Sequence, residues 1–157
     1  MLEIRSAERS DSALILAFVR KLAEYERLLD AVVATEADVL RDLFGTNPRV
    51  FCDLAFWEGA PAGFALWFHN YSTFRGRHGL YLEDLFVEPS YRGRGIGKEL
   101  LRHLAQRCQA GGLARLEWQV LDWNAPSIAF YKSLGAVAVD DWTVFRLSDE
   151  ALKKLAE

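Results

Sequence analysis

The order of apolar and polar positions predicts helices and strands from the first residues onward. Residues 2–5 alternate between the two classes and predict a first strand. From about Asp11, apolar residues recur at helical spacing as far as Leu29, which predicts a long amphipathic helix. Thr35 and Asp38 have the spacing of a capping pair, so a second helix is expected to begin there and to end at the next glycine.

The middle of the chain has the pattern of a sheet followed by a helix. Residues 51–57 and 62–71 are strand-like, and the short turn between them predicts a hairpin. A further strand is expected over 80–87. The glycine-rich segment 92–97 then leads into a helix whose apolar residues share one face and which ends at a Gly-Gly pair.

The last part of the chain predicts a shorter alternation of the same kind. Residues 116–121 read as a strand, and Asn124 begins a short helix that runs to about Leu134. A last strand is expected over 142–147, followed by a terminal helix capped by Ser148. Together the segments predict an α/β protein in which a mixed sheet carries helices on both faces.

Composition favours one globular domain. The chain has 157 residues, 51% of them hydrophobic, which is enough for one core and too little for two, so residues 1–157 are expected to form a single domain. A net charge of -3 argues against a general nucleic-acid binder. Cys52 and Cys108 lie in apolar segments and are expected to be buried thiols. With no signal-peptide pattern and no long apolar run, we expect a cytoplasmic protein that contacts no membrane.

The glycine-rich segment carries the clearest chemical signal. It consists of Arg92, Gly93, Arg94, Gly95, Ile96, Gly97 and Lys98. Glycines let backbone N–H groups approach an anion, the helix that follows adds the positive end of its dipole, and three cations lie nearby, so the segment is suited to phosphates. A Walker A loop would need Gly at position 92 and Ser or Thr at 99, and a dinucleotide fingerprint would need Gly at 98, so both are excluded. A solvated surface turn is the remaining alternative.

Several stretches of the chain together form a recognisable family pattern: residues 22–26, 35–38, 81–87, 91–97, 123–132 and 135–136, including N-x-P-S-I-x-F-Y-x-x-x-G-A from Asn124. With these stretches the whole chain resembles the GNAT superfamily of N-acetyltransferases and, within it, the diamine (spermidine/spermine) branch. The resemblance implies a GNAT fold with a mixed, mostly antiparallel sheet of about six to seven strands. It also implies acetyl-CoA as cosubstrate, a small-molecule amine as acceptor, direct attack in a ternary complex, and a homodimer.

The resemblance implies roles for two acidic residues and one tyrosine. An aliphatic amine has a pKa of about 10.4 and must lose a proton before it can attack a thioester. Glu83 is the expected proton acceptor, directly or through water, and Asp84 is expected to bind a cationic substrate. Adjacent strand positions face opposite sides, so only one of the two should point into a given cleft. Tyr131 is the expected general acid, with a core tyrosine beside Phe130 as the alternative.

The resemblance also implies which residues hold the cofactor. The segment from Arg92 to Lys98 is expected to bind the CoA diphosphate. Asn124 and Ser127 are expected to contact the cofactor while they also begin a helix, and Lys132 is either a phosphate contact or a solvated lysine. A backbone N–H near Phe86 or Val87 is expected to meet the oxyanion. These cofactor positions are Phe86, Val87, Arg92, Gly93, Arg94, Gly95, Ile96, Gly97, Lys98, Asn124, Ser127 and Lys132.

The acceptor is the least determined part of the prediction. Glu24 and Glu26 fall where the polyamine branch shapes its acceptor channel, although a solvated acidic helix face would look the same. Trp142 resembles a tryptophan of that branch, but Thr143 follows it where the diamine enzymes carry arginine, so a thialysine-like amino acid fits almost as well. A protein lysine, an N-terminus, or a non-catalytic acyl-CoA sensor remain alternatives. The histidines lack metal-ligand spacing, so no metal is expected.

Overall fold

The computed structural model describes residues 1–157 as two compact units, Met1–Gln119 and Val120–Glu157. The first unit contains five strands: β1 Leu2–Ser6, β2 Phe51–Trp57, β3 Ala60–Ser72, β4 Arg77–Val87 and β5 Leu116–Trp118. Its helices are α1 Ser12–Tyr25, α2 Glu36–Phe44 and α3 Ile96–Gly111, with 3₁₀ turns at Arg9–Asp11, Leu29–Ala31 and Pro89–Tyr91. The second unit contains α4 Ala125–Ser133 and α5 Asp149–Leu155. No helix is both long and apolar enough to span a membrane.

The five strands form one sheet in the order β1-β2-β3-β4-β5. The first three pairings are antiparallel, and β5 pairs with β4 in parallel over Leu80–Leu82. The prediction of a mixed, mostly antiparallel sheet is therefore confirmed. The predicted count of six to seven strands is too high by at least one.

Two strand predictions near the C-terminus need correction. β5 ends at Trp118 instead of 121, and residues 142–147 form no strand. Alternation predicts a strand only where a second strand can accept its backbone hydrogen bonds, and no strand of this chain pairs with 142–147. The side chains of this segment stay exposed: Trp142 is 77% and Phe145 93% accessible.

The sheet carries helices on both faces, as predicted. On one face, Ile15 and Phe18 of α1 and Val39 of α2 pack on Leu54 and Phe64, and all five side chains are buried. Because side chains alternate along a strand, the residue beside Leu54 points to the other face. There Asp53 of β2 is hydrogen-bonded to Arg107 of α3 and is fully buried.

Local signals explain most element ends. Thr35 accepts the N–H of Asp38 while the Asp38 carboxylate accepts the N–H of Thr35, so the predicted cap forms a capping box. Gly112, at φ 64°, ends α3. The first helix is shorter than predicted: Arg27 adopts a left-handed φ of 62° after Tyr25, so Leu29 lies in a separate 3₁₀ turn. The two cysteines are free and buried, as expected.

Candidate active site

A register shift places two acidic residues side by side on β4. Leu66 pairs with Asp84 while the next residue of β3, Trp67, pairs with Leu82, so Glu83 is an extra residue in the ladder. This is a β-bulge, in which two residues oppose one. Paired residues lie on the same face, so Asp84 lies on the face of Leu66, which packs against the α1 core. The bulge interrupts the strict alternation from which the separation of Glu83 and Asp84 was expected.

Glu26 joins these two residues from the end of α1. It directly follows the last helical residue and is half-buried. Burial raises the pKa of Glu26, and the nearby charge of Glu83 raises it further. Burial, then Glu83 and Glu26, raise the pKa of Asp84 to about 7. We name Glu26, Glu83 and Asp84 the acidic cluster.

The neighbours of the acidic cluster differ in exposure and position. Glu83 is exposed, and Glu24 is an exposed residue of the last turn of α1. Tyr81 is half-buried on β4, and burial followed by the charges of Glu83 and Glu117 raises its pKa. Glu24 and Asp30 also line an open depression at the end of α1. The structure thus brings three of the predicted acidic residues together and leaves Glu24 at the side.

The glycine-rich loop presents a backbone surface without side-chain bulk. Gly93 and Gly95 both have φ 79°, a conformation that favours glycine, and apart from their chain neighbours no atom lies within 4 Å of the position a β-carbon would take. The first hydrogen bond of α3 runs from the Glu99 N–H to the Gly95 carbonyl. The N–H groups of Ile96, Gly97 and Lys98 therefore have no acceptor within the helix. Such groups at a helix N-terminus are suited to an anion.

Aromatic rings hold the two arginines of this loop. The Arg92 guanidinium lies 5.0 Å from the ring centre of Tyr25 and 5.7 Å from that of Phe86, and its Nε donates to the Val87 carbonyl at 3.0 Å. The Arg94 guanidinium lies 5.0 Å from the ring centre of Trp57. Arg92 thus contacts rings of α1 and β4, whereas Arg94 contacts a ring of β2.

The C-terminal end of β4 pairs with β3 but not with β5. Pairing with β5 stops at Leu82, whereas pairing with β3 continues to Val87. Beyond Leu82, the backbone groups of β4 that face the β5 side have no strand to bond with. Phe86 and Val87, the expected oxyanion positions, lie in this stretch.

The remaining predicted residues lie in the second unit. The Asn124 side chain accepts the N–H of Ser127 at 3.3 Å and so caps α4, as predicted. Tyr131 is half-buried, and its ring centre lies 5.5 Å from that of Phe130. Lys132 is exposed, and Trp142 is largely exposed.

Two contacts of the site were not predicted from the sequence. Arg92 lies over Tyr25, and Lys21 forms an ion pair with Glu88. Both contacts join α1 to the segment that follows β4, and a pairing between distant segments leaves no local signal. No group of three or more His, Cys, Asp or Glu residues is arranged to hold a metal ion.

Comparisons with known proteins agree with this architecture. The Acetyltransferase (GNAT) family matches residues 16–136. Thialysine N-epsilon-acetyltransferase of Bos taurus is 38% identical, over 98% of this chain and 96% of its own length. Spermidine/spermine N(1)-acetyltransferase-like protein 1 of Homo sapiens is 37% identical over 98% of this chain, which spans 24% of that protein.

A solved structure, an integron cassette protein from the mobile metagenome of V. cholerae, gives a TM-score of 0.82 at 28% identity. It covers 99% of this chain and 98% of its own. The family match spans most of the chain, and the similarity to the bovine enzyme extends over nearly all of both sequences. The chain therefore belongs to the GNAT family and is an N-acetyltransferase of the diamine-acetyltransferase-like branch.

Proposed function

We propose that the protein transfers acetyl from acetyl-CoA to a primary amine of a small molecule, by direct attack in a ternary complex. The main observation in support of this proposal is the acidic cluster. Three carboxylates in one partly buried place repel one another, as the raised pKa values of Glu26 and Asp84 indicate. An ammonium group that enters the cluster relieves this repulsion, so a cationic acceptor is favoured over a neutral one.

The glycine-rich loop fits the diphosphate of acetyl-CoA. Its face is open at Gly93 and Gly95, and the N–H groups at the start of α3 have no intrahelical acceptor. In the proposed complex Gly93 to Lys98 hold the diphosphate, with Asn124, Ser127 and Lys132 as further contacts. When bound, the cosubstrate supplies an acetyl group activated as a thioester.

Glu83 and Tyr131 are the two side chains proposed to transfer protons. Glu83 is exposed and takes the proton of the bound amine, directly or through water, while Asp84 holds the ammonium form before that step. Tyr131 donates a proton to the departing thiolate, since a phenol with pKa about 10 can protonate a thiolate whose thiol has pKa about 8.5. The N–H groups near Phe86 and Val87 stabilise the oxyanion.

The acceptor that we favour is a thialysine-like amino acid. The bovine relative acts on thialysine, and Thr143 replaces the arginine of the diamine enzymes. Glu24 and Trp142 are the proposed further contacts to the acceptor. A polyamine would use the same acidic cluster.

An assay of CoA release with a panel of acceptors tests the proposal. The panel contains thialysine, lysine, spermidine, spermine and a lysine-containing peptide, each with acetyl-CoA. We expect turnover with free amines and a higher kcat/KM for thialysine than for spermidine. Turnover of the peptide alone would contradict a small-molecule acceptor, and cofactor binding without any release would indicate a sensor.

We further propose a cytoplasmic homodimer. The dimer is expected from the resemblance to the diamine branch, many of whose members are dimers. The exposed apolar side chains of residues 142–147 support it, because large apolar groups on a surface commonly mark an interface.

A further inference from the structure

Two parallel contacts fasten the last turn of α1 to the cofactor loop. Lys21 and Tyr25 lie four residues apart on α1, so they share one face of the helix. Glu88 and Arg92 are also four residues apart. Glu88 forms the ion pair with Lys21, and Arg92 lies over the ring of Tyr25. The helix end that carries Glu26 is thus joined to the segment that leads into the loop proposed to hold the diphosphate.

Arg92 makes the more specific of the two contacts. Its guanidinium lies near the rings of both Tyr25 and Phe86, within the range of a cation–π interaction, while its Nε donates to the Val87 carbonyl. A planar group can make these contacts together, whereas an ammonium group cannot. The side chain therefore connects α1, the end of β4 and the loop.

We infer that Arg92 is a positioning residue for the acceptor amine. Through Tyr25 it fixes the end of α1 and hence the place of Glu26 in the acidic cluster, while the glycine-rich loop that follows binds the diphosphate. This inference rests on the proposed function, since it assigns the acceptor to the acidic cluster. It departs from the expectation that the Arg92 side chain binds phosphate.

The charge-retaining variant Arg92→Lys and the neutral variant Arg92→Gln distinguish the two roles. If Arg92 fixes Tyr25, both variants raise the KM for the acceptor by about fivefold, the size of a lost cation–π contact, with kcat less affected. If Arg92 binds phosphate, lysine substitutes well, because an ammonium group also binds phosphate, and the KM for acetyl-CoA changes instead.

Replacing the acetyl donor separates the roles further. S-acetylpantetheine lacks the diphosphate, so the Arg92 defect in acceptor KM should persist with this donor. Arg94, whose guanidinium lies over the Trp57 ring, is a proposed phosphate contact, so the increase in the KM for acetyl-CoA expected of Arg94→Gln should have no counterpart with this donor. Arg102→Lys, an exposed position on α3, is the control expected to change neither KM. A defect of Arg92→Gln that disappears with S-acetylpantetheine overturns the inference.

Hydrogen exchange tests the same contact without any turnover. The amides of residues 22–28 should exchange about fivefold faster in Arg92→Gln than in the unchanged protein, with the core strands unaffected. Tyr25→Leu should have the same effect, and the double variant should add little to it. Unchanged exchange in both single variants overturns the inference, whereas a failure of all acceptors in the panel overturns only the proposed function.

Discussion

The carboxyl group of Asp84 is held where its charge is disfavoured. Burial and two neighbouring carboxylates raise its pKa to about 7, against an ordinary value of 3.8. Between about pH 4 and 7 the folded protein therefore keeps a proton that the unfolded chain has already released. The stability that this proton contributes is present in acid and is lost as the pH rises through 7.

Asp84→Asn should stabilise the fold above neutral pH. Removing the unfavourable charge is expected to raise the free energy of unfolding at pH 8 by about 4 kcal/mol, with little change at pH 4. Urea denaturation at the two pH values measures this difference. Asp42→Asn, at an exposed carboxylate paired with Arg41, is the control and should show no gain at pH 8. Equal stability of Asp84→Asn and the unchanged protein at pH 8 would refute the prediction.

Tyr131→Phe should separate catalysis from binding. Loss of a general acid is expected to lower kcat by about 10²-fold while the affinity for CoA stays nearly constant. Steady-state kinetics and calorimetry measure the two quantities. Tyr71→Phe removes a phenol from an exposed position of β3 and should leave kcat unchanged. If Tyr131 only packs beside Phe130, its variant will keep full kcat.

At the scale of elements, an ion pair between a buried carboxylate and a partly exposed arginine joins β2 to α3. Asp53 is fully buried and accepts hydrogen bonds from Arg107 at 2.5 and 3.1 Å and from Trp67 Nε1 at 2.9 Å. His103 lies 3.4 Å from the same carboxylate. The pair links the sheet to the helix whose N-terminus carries the glycine-rich loop.

Arg107→Met should strongly destabilise this link. It leaves the Asp53 charge buried and poorly compensated, so we expect a loss of about 3 kcal/mol in the free energy of unfolding. Arg102→Met, which removes an exposed arginine paired with Glu99, should cost less than about 0.5 kcal/mol. The double variant Asp53→Leu with Arg107→Met should recover part of the loss. If Arg107→Met is as stable as Arg102→Met, the ion pair between Asp53 and Arg107 contributes nothing to stability.

The sequence predicted the elements with strong local signals. Thr35 with Asp38, Asn124 and the glycines after α3 each fix a helix end through their own backbone chemistry, and these predictions are confirmed. The bulge at Glu83 and the contact between Arg92 and Tyr25 depend on which distant residues meet, so no local pattern could reveal them. The sequence named Glu26, Glu83 and Asp84 separately, and the structure brings them together; their roles remain predictions.

At the scale of the whole molecule, the predicted sheet was confirmed except at its C-terminal side. Residues 142–147 alternate like a strand but find no partner strand in the chain, so their apolar side chains remain exposed. A second copy of the protein can cover such a surface.

Sedimentation velocity should therefore give the mass of two chains at micromolar concentration. Phe145→Glu, which places a charge on the exposed segment, should shift the protein toward the mass of one chain. Val33→Glu changes an apolar residue that is equally accessible but lies elsewhere, and it should leave the dimer intact. A single-chain mass for the unchanged protein, even at the highest concentration, would contradict the homodimer.

The β-bulge at Glu83 affects how related sequences can be compared with this one. A residue lost or gained between the β3–β4 turn and Glu83 would change which residue of β3 faces the acidic pair. Residue identity at these two positions alone then does not fix how the two carboxylates are placed in a relative. The length of chain between that turn and the acidic pair has to match as well.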